Sequence, residues 1–262
     1  MISLEKITLR EIMTTLRERL STTNSSTTAM KTIERVRIFN HKEMELGYDD
    51  LVTESSERTG RLYCTPDGNR YPSVTTVLSI LSEDSIRAWR QRVGPEEANR
   101  VSRVASSRGT QVHNVIEKYL RNEDLYLEGA SLVAQANFKS IKPIIDERIG
   151  DIWAIEAPLY SDHLGIAGRC DCIAEWDGVL SIVDWKTSGR IKEKDDIHSY
   201  FIQKAAYAIM FEERTGKPIV NLVTAMTVDN EQPLVFKEHR DNWAPKLLET
   251  IAEYRRRKMF GH

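Results

Sequence analysis

The stretch Arg169-Cys170-Asp171-Cys172-Ile173-Ala174-Glu175-Trp176-Asp177-Gly178-Val179-Leu180-Ser181-Ile182-Val183-Asp184-Trp185-Lys186 reads as two strands around a two-residue turn. Asp-Gly is a preferred hairpin loop, because both of its residues tolerate positive φ. With Trp176 opposite Val179, counting back along both strands sets Asp171 directly opposite Asp184. Directly opposed residues share a face, with Cβ atoms about 4.5–5.5 Å apart. Lys186, two residues beyond Asp184, shares it as well. Two carboxylates so close destabilise a hairpin unless something compensates, and a divalent cation does so. Few hard oxygen ligands suit Mg²⁺ or Mn²⁺. Lys186 could then hold or help deprotonate a water, or neutralise a phosphate. Spacing alone leaves a second reading open, a surface charge cluster on an exposed sheet face. Cys170 and Cys172 flank Asp171 and are expected to point together to the opposite, buried face as core packing.

Working outward, residues 195–215 read as a helix stopped by Gly216-Lys217-Pro218. Strands follow at 219–228 and 234–237, then a closing helix at 242–258. Upstream lie a helix at 130–149 and a strand carrying Ile152, Ala154, Glu156, Pro158 and Tyr160. Helix, three meandering strands, helix and strand make an α/β chain with a mixed sheet. Residues 85–121 are mostly helical and hold Arg87, Arg90, Arg92, Arg100, Arg103 and Arg108 beside Trp89. That face either binds phosphates or is simply solvated, with Glu96 and Glu97 as partners. Residues 31–82 mix short strands with turns such as Pro66-Asp67-Gly68-Asn69. Tyr71-Pro72 is extended, and Ser73 is a candidate helix N-cap. Thr8-Leu9-Arg10-Glu11 has capping-box form, so residues 8–20 read as a short amphipathic helix before a Ser/Thr-rich linker. Residues 1–30 are therefore expected to be an appendage, and residues 31–262 a single domain with its core at about 105–240.

Composition bounds the rest. A chain of 262 residues with 40% hydrophobic content can bury a sizeable core. No stretch approaches the roughly 20 apolar residues of a membrane span. Three cysteines, Cys64, Cys170 and Cys172, offer no disulfide framework and point to a reducing compartment. An iron-sulfur cluster, which needs about four thiolates, is not expected. The net charge of −2 leaves a nucleic-acid partner open, since a local positive channel suffices. Glu5, Lys6, Arg10 and Glu11 interrupt the first apolar residues, so these do not read as a secretory signal, and Glu5, Glu11 and Glu18 are unwelcome in a mitochondrial transit peptide. The expected compartment is the cytoplasm of a bacterial or phage-infected cell.

Four ordered segments resemble one family. Gly168-Arg169-Cys170-Asp171, the hairpin and Asp184-Trp185-Lys186-Thr187 are similar to the PD-(D/E)XK nuclease superfamily. Gln203-Lys204-Ala205-Ala206-Tyr207 matches the Gln-x-x-x-Tyr motif of its RecB-like branch. Arg108-Gly109-Thr110-Gln111-Val112-His113 with Ile116-Glu117 matches that branch's helical His motif. Tyr71-Pro72-Ser73-Val74-Thr75 is similar to a segment of the mitochondrial genome maintenance exonucleases and their phage relatives. The resemblance spans roughly residues 70–210. Cys170 replaces the proline usual before the first Asp, a common variation, and the four cysteines of the iron-sulfur members are absent.

The resemblance implies a restriction-endonuclease-like core, a central mixed sheet flanked by helices, with an N-terminal helical region. It implies Mg²⁺ or Mn²⁺ bound by Asp171, Asp184, His113 and the backbone carbonyl of Trp185, with Lys186 catalytic. Gln203 and Tyr207 would support the site or contact DNA, as would Ser73, Thr75 and Arg108. Glu117 and Glu156 are either supporting residues or ordinary solvated carboxylates. The implied function is a metal-dependent exonuclease acting on single-stranded DNA ends. The alternatives are an endonuclease or duplex-end processing enzyme with the same centre, or a silent nucleic-acid-binding module. A protein partner could use residues 1–30.

Overall fold

The protein is described by a computed structural model covering residues 37–56 and 59–260. The expected helix at 8–20, the linker and the appendage lie outside the described residues. Three short strands, β1 (Val52–Ser56), β2 (Gly60–Cys64) and β3 (Arg70–Pro72), form an antiparallel meander. Three helices follow, α1 (Val74–Leu78), α2 (Glu83–Val93) and α3 (Pro95–Leu120), and then α4 (Leu132–Arg148). The strands β4 (Ile149–Ser161), β5 (Ile166–Trp176) and β6 (Val179–Ser188) come next, followed by α5 (His198–Thr215). Finally β7 (Asn221–Val228), β8 (Leu234–His239) and α6 (Ala244–Phe260) complete the chain.

The turn at 177–178 has the expected chemistry. Asp177 (φ 51°) and Gly178 (φ 77°) are both left-handed, as a twist-matched two-residue loop requires. Trp176 pairs with Val179, and the register runs in step back to Cys172 opposite Val183. The paired register ends there, and the next residues of the two strands are Asp171 and Asp184. There the Asp171 carboxylate accepts a hydrogen bond from the Trp185 backbone N–H, at 3.1 Å.

The large sheet has the order β4-β5-β6-β7-β8, in which β6 and β7 run parallel and the other neighbouring strands antiparallel. A parallel pair needs a crossover, and α5 supplies it. Gly216, in the left-handed region, ends α5. Side chains of alternating strand positions feed two buried clusters, one on each face. Ile173, Ile182 and Leu222 meet Ile202, Ala205 and Phe211 of α5, Val77 of α1 and Ile251 of α6. Ala174, Val183 and Val223 meet Val112 and Ile116 of α3 and Phe138 and Ile141 of α4. Each such buried aliphatic side chain contributes about 1.5–3 kcal/mol, which is why one mixed sheet with helices on both faces is the stable arrangement. Helices α1 and α6 thus add to a core expected at 105–240. The expected α1 start also holds, since the Ser73 Oγ caps it by accepting from the Thr76 N–H at 2.9 Å.

One expectation is corrected. Cys170 and Cys172 are both fully buried, but they do not share a face. Cys170 sits in the cluster under α5, whereas Cys172 sits in the cluster under α3 and α4. The neighbouring strand shows the same switch, with Ile155 on the α3 side and Ala157 on the α5 side. Between these residues stand Asp171 and Glu156, and Glu156 has φ 55°. A non-glycine residue in that region strains the backbone. The pleat therefore breaks at the position that carries the carboxylates, and simple alternation fails there.

Candidate metal centre

The cleft has about 760 Å³ of free volume and lies where the small sheet, the start of α1, the middle of α3 and the switched segment of β4 and β5 converge. Helix α3 brings His113 to Asp171, with Nδ1 at 3.4 Å from Oδ2. Glu156 completes a trio, since one ligand atom from each of His113, Glu156 and Asp171 lies within 4.8 Å of the others. Its strained backbone is what turns Glu156 toward this point on the break in the pleat. Two carboxylates and an imidazole are a donor set for a hard or borderline divalent cation.

Asp184 sits one strand further in, with only 2% of its surface exposed. Lys186 Nζ donates to its Oδ1 at 2.5 Å. Lys204 Nζ, on α5, is 3.8 Å from its Oδ2. That Oδ2 is buried and has no hydrogen-bond partner among the described residues. Asp184 stands outside that trio and does not line the cleft, and its Oδ2 faces Lys204. The trio of His113, Glu156 and Asp171 fits a divalent metal, and the orphaned Oδ2 leaves Asp184 one oxygen able to take a further bond.

The charges follow the geometry. Burial, and then the Asp184 charge, raise the Asp171 carboxyl above its ordinary value. Burial also opposes ionisation of Asp184, but Lys186 and Lys204 outweigh it and hold that carboxyl low. Burial works against the Lys186 cation, yet Asp184 and Asp171 raise its affinity for the proton. Burial, with Asp171 and Glu117 nearby, pushes Glu156 up to about 7. Burial depresses Lys204 to about 8. A divalent cation among these carboxylates would relieve the repulsion that raises two of them.

The other expected residues are placed as follows. Ser73, Thr75, Glu117, Gln203 and Tyr207 all line the cleft. Glu117 also pairs with Arg121 at 3.1 Å. Gln203 Nε2 donates to the Tyr207 hydroxyl at 3.4 Å. Tyr207 lies against Gly168, where an added Cβ would come within 2.8 Å of its ring. Arg108 is not brought to the cleft lining; it is ion-paired to Asp229 beyond β7. The Trp185 indole is core, against Trp176 at 6.4 Å between ring centroids, so only its backbone can serve the site. Burial raises the Cys170 and Cys172 thiols, which keeps them neutral core groups. Arg87 and Arg100 are paired to Glu83 and Glu97, and Arg90 donates to Asn99, so several cations of that helical region are already satisfied.

Lys204 was the residue that sequence reasoning passed over. It falls on the apolar stripe of α5 with Phe201, Ala208 and Phe211, at spacings of three and four. A lysine on such a stripe demands a buried partner, and that was the available signal. The cleft wall formed by Asp50, Thr53 and Arg61 carried no comparable signal, because it joins the site only through the fold.

Comparisons with known proteins bear on the family. The sequence pattern of the PD-(D/E)XK nuclease superfamily matches residues 126–259. Mitochondrial genome maintenance exonuclease 1 of Mus musculus is 29% identical over 132 residues, covering 47% of this chain and 39% of that protein. The Homo sapiens protein of the same name is 28% identical over 151 residues, covering 53% and 43%. The chain thus matches less than half the length of these relatives. A crystal structure of a supposed exonuclease from Eubacterium rectale aligns with a TM-score of 0.39 and 18% identity, covering 55% of this chain and 63% of that one. At that score the likeness does not bear on the fold.

Proposed function

Since the chain belongs to the PD-(D/E)XK nuclease superfamily, we propose that it is a metal-dependent deoxyribonuclease that removes nucleotides from single-stranded DNA ends. The observation that carries this reading is the pair of apposed strands presenting Asp171 and Asp184, with Lys186 on Asp184 and His113 on Asp171. An exonuclease is favoured because the chain's relatives carry that name. No helix among the described residues is long and apolar enough to cross a membrane. Residues 31–262 act as one nuclease domain, with residues 1–30 as an appendage able to engage a protein partner.

In this reading Asp171, Glu156, His113 and the free Oδ2 of Asp184 hold the metal, with the Trp185 carbonyl as a further ligand. Magnesium or manganese, when bound, lowers the pKa of a water and offsets charge on the phosphate. The rest falls to side chains. Lys186 is a cation here, so its role is to neutralise negative charge building on a phosphate oxygen and to orient the attacking water. Gln203 and Tyr207 form a floor against Gly168 on which the strand end is positioned. The exposed Thr75 offers its hydroxyl to the sugar-phosphate backbone across the cleft, with the buried Ser73 hydroxyl holding it at 2.9 Å.

The test is digestion of end-labelled single strands with and without Mg²⁺. Metal-dependent loss of label in the wild type, abolished in Asp184→Ala and Lys186→Ala, is the expected result. Equal cutting of linear and closed circular strands would replace the exonuclease with an endonuclease. Binding without cleavage under any divalent metal would leave only a nucleic-acid-binding module.

A further inference from the structure

Lys204 is fully buried, which for a lysine demands compensation. Its Nζ donates to the Tyr200 carbonyl at 2.8 Å and to the Thr224 hydroxyl, and lies 5.0 Å from the centroid of the Phe201 ring. Thr224 stands beside Asp184 in the parallel register of β6 and β7. Two neutral acceptors and an aromatic face thus anchor the ammonium behind the Asp184 carboxylate. The two lysines on Asp184 are not equivalent. Lys186 keeps 20% of its side chain exposed and lies 5.2 Å from the centroid of the Tyr200 ring. Lys204 has no exposure and is held from three sides.

Resting on the nuclease reading above, we propose that Lys204 is the resident counter-charge of the metal centre. It holds the Asp184 carboxylate in position when the centre is empty, and its anchored charge opposes the metal and weakens its binding. Lys204 is therefore a positioning residue that acts through Asp184. The contrary view is a lysine that merely fills core space. The two differ in sign. A space-filling lysine can be replaced without strengthening metal binding. A counter-charge that competes with the metal cannot, because like charges separated by a single carboxylate repel strongly in a dry site.

Calorimetric titration with Mn²⁺ tests this, using the full chain of the wild type, Lys204→Gln and Lys204→Met. The Gln variant removes the charge and retains N–H donors, whereas the Met variant removes both. The expected result is Mn²⁺ binding at least about threefold tighter in the variants. A lower metal-free melting temperature that largely recovers with Mn²⁺ should accompany it. Equal or weaker binding by a variant with unchanged circular dichroism overturns the proposal and leaves the nuclease reading intact. A wild type that binds no divalent metal overturns both. If neither variant folds, a metal-loaded structure decides. Lys204 remaining at Asp184 supports the proposal, and its withdrawal refutes it.

Discussion

Asp171 and Asp184 stand next to each other on one hairpin, yet they occupy opposite environments. Asp171 looks into an open cleft toward His113 and Glu156, and its carboxyl is raised by burial and by Asp184. Asp184 is sealed under α5 between two lysines, which overcome its burial and keep it ionised. The difference teaches that the half facing the cleft is poised to gain a cation, whereas the inner half already owns its cations. Residue type does not distinguish the two carboxylates. What distinguishes them is which helix covers each.

The largest effect that can test this contrast is on turnover. Lys186→Ala and Asp184→Ala should each cut the rate of single-strand digestion by roughly 10³-fold or more; retained activity in either would break the pairing of roles. On stability the two aspartates should diverge. Metal-free Asp184→Asn leaves the fully buried Lys204 and the half-buried Lys186 without their carboxylate and should cost about 3–5 kcal/mol in urea unfolding. Asp171→Asn relieves a repulsion and should change stability by no more than about 1 kcal/mol. Equal losses would erase the distinction.

Next in size is Gly168→Ala, whose Cβ meets the Tyr207 ring. Overpacking of this kind costs about 1–3 kcal/mol, and with Tyr207 displaced, turnover should fall more than metal affinity does. Comparison of kcat with Mn²⁺ affinity in that variant is the check.

The smallest effect is a pH dependence of the cleft-facing half. Folding raises Glu156 from its ordinary value of 4.5 to about 7. The metal-free fold therefore holds this proton more tightly than the unfolded chain, and the associated stability is lost as pH rises through that window. A metal must displace the same proton, so metal affinity should rise across the same range. One competing proton predicts affinity about tenfold weaker at pH 6 than at pH 8. Titration calorimetry at the two pH values measures it, and Glu156→Gln should flatten the slope.

Much of this was legible in the chain, and the reason is locality. The Asp177-Gly178 turn allows one hairpin register, and it holds from Trp176 opposite Val179 to Cys172 opposite Val183, one residue short of Asp171 and Asp184. The Gln203 and Tyr207 pair, the Ser73 cap and the Gly216 stop are likewise matters of spacing within a few residues. What failed was extrapolation of the pleat through Asp171. Cys170 and Cys172 part company there because Glu156, on another strand, adopts a left-handed conformation opposite. Arg108 kept the expected helix, but its ion pair with Asp229 spans 121 residues of sequence separation, which no local pattern encodes.

By itself, then, the sequence determined the hairpin, its register and the side chains that face one another across it. Turn geometry and strand periodicity are short-range constraints, and they act before any tertiary contact forms. Only the tertiary structure decided that Glu156 joins the cluster of candidate ligands, that Arg108 turns away, and that Lys204 lies behind Asp184 with no access to water. Those outcomes depend on how helices settle on the two faces of the sheet. That packing settles which carboxylate is left wanting a cation and which already has one.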